Sequence, residues 1–60
     1  MLKLGRQQQA TFDLIKSLNG EITVEQIAFT QKISRQRANE TVQKLEKRGL
    51  VIRQKWIKIL

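Results

Sequence analysis

The chain of 60 residues has no cysteine, no histidine, no proline and no tyrosine. Without cysteine there is no disulfide framework, no thiol nucleophile and no thiolate metal site. With histidine missing too, both of the commonest zinc ligands are gone, and a structural metal is not expected. The lack of proline, beside 40% hydrophobic residues, argues against a disordered tail or loop-rich scaffold and for a small helical core. No apolar run is long enough for a membrane span or for the hydrophobic stretch of a signal peptide. A soluble, intracellular protein is therefore expected, cytoplasmic or associated with the nucleoid.

Acids are scarce as well. Five Asp and Glu stand against twelve Lys and Arg, giving a net charge of +7 and a pI near 10.7. A basic balance of this size favours polyanionic partners. The acids are Asp13, Glu21, Glu25, Glu40 and Glu46, and no two have the spacing of a buried acid/base pair. Neither an activated nucleophile nor a phosphate-cradling glycine loop is present, so no enzyme activity, cofactor or small-molecule ligand is expected. A length of 60 residues allows one domain, 1–60, because so short a chain has barely enough interior to offset the entropy of ordering it.

What the sequence does contain is periodic. From Arg6 to Leu18, the residues Thr11, Phe12, Ile15 and Leu18 share one face with Leu14 at its edge, the spacing of an amphipathic helix. Asn19 and Gly20 then tolerate the left-handed conformation that ends a helix. Ile22, β-branched and flanked by polar residues, reads as one rung of a short strand that pairs with a later one. Thr23 with Gln26 three residues on is a capping-box pattern. It predicts a second helix from Val24 to about Thr30 that buries Val24, Ile27 and Ala28.

After the short "TQKI" connection, Ser34 is a good N-cap for a third helix that Gly49 ends. Ala38, Val42 and Leu45 form its inner stripe, with Thr41 at the border. At about 100° per residue, Gln36, Glu40, Gln43 and Lys47 point outward, with Arg37 and Lys44 on one shoulder and Arg35 and Asn39 on the other. The remaining "LVIRQKWIKIL" reads as a hairpin of strands 50–52 and 56–60 with Arg53, Gln54 and Lys55 at its tip. The expected class is mainly α with a small β-hairpin (α+β), three helices and a two- or three-stranded wing.

That order of elements outlines a winged helix-turn-helix. From Gly20 onward, through "TVEQIAFTQKISRQRANETVQKLEKRGLV", the chain resembles the DNA-binding core of MarR-type and ArsR-type regulators. The resemblance implies that helix 34–48 enters the major groove and that the 50–60 hairpin touches flanking backbone or minor groove. The short wing tip departs from that family, and the extra helices through which MarR-type proteins dimerise have no counterpart here, which leaves a homodimer open. A second resemblance is to Zα domains, which bind Z-form nucleic acid. Asn39 stands where they place a recognition asparagine and Trp56 resembles their wing tryptophan, but Gln43 replaces their tyrosine and their proline pair is absent.

Side-chain chemistry leads to double-stranded DNA without the family. Arginine donates two parallel hydrogen bonds to guanine, and glutamine and asparagine make the matching pair with adenine. Arg37 and Gln36 are the first candidates for base contact, with Arg35, Asn39 and Gln43 beside them and Glu40 able to accept from cytosine or to pair with Arg37 or Lys44. Lys44, Lys47, Arg48, Arg53 and Lys55 suit phosphate contacts, which supply salt-dependent affinity without reading sequence. Ser34 and the amides of Thr23 and Val24, at helix starts, are further candidates for phosphate oxygens, as is Arg6. A plainer reading makes the same helix face merely solvated, another makes it a dock for an acidic protein, and a third makes the chain a sequence-independent nucleic-acid binder. Trp56 reads as a hairpin-packing residue rather than a stacking platform. The leucines between Met1 and Leu4 either pack on the body or form a dimer seam.

Overall fold

In a computed structural model, which describes residues 3–18 and 20–60, the chain forms α1 (Arg6–Ser17), α2 (Val24–Gln31), α3 (Arg35–Lys47), β1 (Val51–Arg53) and β2 (Ile57–Ile59). The expected role of Asn19 in stopping α1, and the packing of Met1 and Leu2, lie outside the described residues.

Thr11 and Ile15, one turn apart, are the fully buried residues of α1, with Phe12 and Leu14 packed at the margin of the core. Leu18 does not join them. It is the C-cap, its N–H donates to the Leu14 carbonyl, and the chain turns away there, which leaves its side chain 42% exposed. Gly20 completes the turn at φ +80°, and a Cβ at this position would lie 3.2 Å from Cγ of Lys58. Both the backbone conformation and the close strand require glycine.

Ile22 then enters the core and accepts a 3.0 Å hydrogen bond at its carbonyl from the N–H of Ile57. This single antiparallel rung is the expected third strand of the sheet. Immediately afterwards the Thr23 hydroxyl accepts from the Gln26 N–H while the Gln26 side chain accepts from the Thr23 N–H, at 3.2 and 2.9 Å. The capping box starts α2, which at eight residues depends on packing for its stability. Ile27 and Ala28 are buried, Val24 is half-buried, and the helix runs one residue past Thr30 to Gln31. Phe29 projects from the opposite side and is 86% exposed.

The extra residue of α2 has a structural use. The Gln31 side-chain oxygen accepts from the buried hydroxyl of Thr11 at 3.1 Å and also from the Gln7 side-chain amide, tying α1 to the end of α2. Lys32 follows in the left-handed region at φ +55°, and Ser34 caps α3 by accepting from the Arg37 N–H at 3.0 Å. The inner side of α3 is Ala38, Thr41, Val42 and Leu45. Thr41 satisfies its buried hydroxyl by donating to the Arg37 carbonyl at 2.9 Å. At the far end, Gly49 at φ +74° donates to Glu46, and Leu50 donates to Leu45, the paired bonds of a Schellman cap.

The hairpin departs from its expected limits. Its register is Val51 opposite Ile59, Ile52 opposite Lys58 and Arg53 opposite Ile57. Val51 and Ile57 both face the core, and because strand side chains alternate, Arg53 is drawn into β1 while Trp56 is left in the tip, half-buried. Leu50 is not part of β1: its N–H closes the α3 cap, while its carbonyl accepts from Leu60. The core that results joins Ile15, Ile22, Ile27, Val42, Leu45, Val51 and Ile57 from every element, and Leu4 packs against it.

Candidate nucleic-acid interface

Four inward residues hold α3 against the core, so its remaining surface turns outward as a unit. Arg35, Gln36, Arg37, Asn39, Glu40, Gln43, Lys44 and Lys47 are all exposed. Two concavities flank this surface, one on each shoulder.

On the α1 side lies an open cleft of about 560 Å³ between Gly5, Arg6, Gln7 and Gln8 and, across from them, the cap Ser34 and the α3 residues Gln36, Arg37, Glu40, Thr41 and Lys44. α1 begins here at Gly5 with no side-chain cap and no acid in its first turn. Its first amides therefore keep their partial positive charge. Among the described residues, Arg37 and Lys44 make no side-chain hydrogen bond or ion pair, and neither pairs with Glu40.

The wing side is different. A concavity of about 530 Å³ is lined by Val24, Arg35, Gln36, Asn39 and Arg53, and Arg35, Asn39 and Arg53 have side-chain partners. Arg35 lies 3.3 Å from Glu25 of α2, an exposed pair that contributes little to stability. Arg53 reaches back from β1: Nη1 donates to Asn39 Oδ1 at 2.6 Å, and Nη2 donates to the Asn39 carbonyl at 3.4 Å and lies 3.3 Å from Glu46 Oε1. The expectation of Arg53 as a tip residue is thus corrected. Its position in β1 aims it at α3.

The candidate residues therefore fall into groups. Ser34, Gln36, Arg37, Glu40 and Lys44 share the α1-side cleft; Arg35, Gln36, Asn39 and Arg53 share the wing-side concavity. Gln43 and Lys47 lie on the exposed surface of α3, and Lys55 is exposed at the hairpin tip, outside both concavities. Sequence reasoning did not anticipate Gly5, Gln7 and Gln8 at the cleft. Their signal was a helix start with a basic residue and no acid near it.

Among the described residues no helix is long and apolar enough to cross a membrane. A family model described as MarR family matches residues 3–55. No curated protein and no solved structure matches the chain.

Proposed function

The chain belongs to the MarR family, a winged helix of the kind that regulates transcription, and from that premise we propose that it reads double-stranded DNA in a sequence-specific manner. α3 enters the major groove, the hairpin lies along flanking backbone, and Arg37 and Gln36 make the leading base contacts. Lys44, Lys47 and Lys55 contact phosphates. Ser34, beside the start of α3, adds a phosphate or sugar contact, and Glu40 accepts from a cytosine amino group.

The observation that carries this reading is the outward surface of α3. It holds base-reading side chains at its N-terminal half and cations toward its C-terminal half, while the inner residues Ala38, Val42 and Leu45 fix its rotation. A net charge of +7 supplies the long-range attraction. The protein acts as a binding module rather than as a catalyst, and a homodimer on a two-fold site is the arrangement that the regulator reading favours.

Selection from a randomised duplex library at near-physiological salt, followed by titration of the winner against scrambled DNA, tests the proposal. An enriched motif is expected, and its symmetry reports one copy or two on the site. Measurable binding with no enriched motif would replace sequence reading by architectural or Z-form recognition. No binding at all would make the module a protein dock.

A further inference from the structure

The contact between Arg53 and Asn39 constrains what Asn39 can read. A guanidinium has donors and no acceptor, so an asparagine amide that meets it must turn its oxygen toward it. Asn39 does so, with Oδ1 at 2.6 Å from Nη1 of Arg53. Its NH₂ group is left as the end of the amide free for another partner. An unconstrained asparagine recognises adenine by accepting from the N6 amino group while donating to N7. Here the acceptor half of that pair is engaged, and a guanidinium stands beside it. An adenine amino group brought to Oδ1 would meet that positive charge, whereas the O6 and N7 acceptors of guanine would meet the Asn39 NH₂ and the cation favourably.

The orientation of Arg53 is itself fixed. β1 delivers it from opposite Ile57, the Asn39 carbonyl accepts from Nη2, and Glu46 lies 3.3 Å from Nη2 one helix stretch further on. The fork is thus held by a strand at its base and by two residues of α3 at its head. Val24, Arg35 and Gln36 complete a concavity around the pair with no acid among its lining residues.

We infer that Arg53 is a positioning residue that sets Asn39 as a hydrogen-bond donor, so that the base facing Asn39 is selected for an acceptor-rich edge, guanine in preference to adenine. The inference rests on the DNA-binding reading above. It adds a determinant of specificity that lies in the wing and acts through the recognition helix.

Site selection with the wild type, Asn39→Ala and Arg53→Leu tests it. The position at which Asn39→Ala loses discrimination identifies the base facing Asn39. Guanine is expected there over adenine by roughly tenfold or more in the wild type. Arg53→Leu should erase or reverse that preference and keep the remainder of the motif. Glu46→Gln, which loosens the Arg53 fork at Nη2 without touching Asn39 itself, should move the preference the same way by a smaller factor. In the free protein the Asn39 side-chain NH₂ resonances should shift in Arg53→Leu and stay in place in Lys55→Ala. Adenine at that position in the wild type, a guanine preference that survives Arg53→Leu, or no position affected by Asn39→Ala would each overturn the inference while leaving DNA reading intact. A wild type that enriches no motif would overturn the DNA reading and this inference together.

Discussion

On the wing side of α3 Arg35, Asn39 and Arg53 have side-chain partners, whereas among the described residues Arg37 and Lys44 on the α1 side have none. Asn39, Arg53 and Glu46 form one connected group, and Arg35 is paired with Glu25. Across the helix, among the described residues, Arg37 and Lys44 have no side-chain partner beside a cleft of about 560 Å³. The difference separates two ways of meeting DNA. A held amide enters the complex with its donors already aimed and discriminates between bases. A free arginine or lysine adapts to the duplex, at an ordering cost of about 0.5–1.5 kcal/mol per side chain. Preorganisation suits reading by fixed donors, and adaptability suits phosphate grip and base contacts formed on binding.

The comparison depends on both shoulders being carried by one rigid helix. Leu45→Ala removes a fully buried anchor of α3 and should cost about 2–5 kcal/mol of stability, read by denaturant unfolding. Binding through both shoulders should then fail together; loss of one alone would mean that they are not a single body. Next in size, Arg37→Ala should cost about 1–3 kcal/mol at the selected site, measured by equilibrium titration, and relax discrimination there. Unchanged affinity would remove the free shoulder from the interface. The smallest effect concerns the turn that aims α3. Lys32 holds φ +55° without being glycine, a conformation that costs an ordinary residue about 1–2 kcal/mol. Lys32→Gly relieves that strain but adds unfolded-chain entropy, so a net gain of up to about 1 kcal/mol is expected in thermal melts. Base preference should be the same in that variant, since neither shoulder is touched.

Much of this arrangement was legible in the sequence, and the parts that were not share a cause. Helical spacing identified Ala38, Val42 and Leu45 as inner residues, and local chemistry identified the Thr23–Gln26 box, the Ser34 cap and the Gly49 exit. These depend on residues within a turn of each other. The hairpin limits depend instead on which residues of "LVIRQKWIKIL" face the core, and only the Ile22–Ile57 rung and the burial of Val51 decide that. A one-residue slip would have carried Arg53 away from α3, so its contact with Asn39 could not be read before the register was known. Leu18 misled for a related reason: it continues the apolar spacing of α1, but the helix ends at Ser17. The α1-side cleft joins Gly5–Gln8 to residues about thirty positions later, a proximity that no local pattern encodes.

The contrast between a held Asn39 that reads and a free Lys44 that grips is tested most directly by the salt dependence of binding, measured on the selected site and on scrambled DNA for the wild type, Lys44→Ala and Asn39→Ala. Lys44→Ala should weaken both duplexes alike and reduce the slope of log K against log salt by about 0.9. Asn39→Ala should leave the slope unchanged and narrow the gap between the two duplexes. The reverse pattern, a smaller slope for Asn39→Ala and lost discrimination for Lys44→Ala, would contradict the roles given to these two residues.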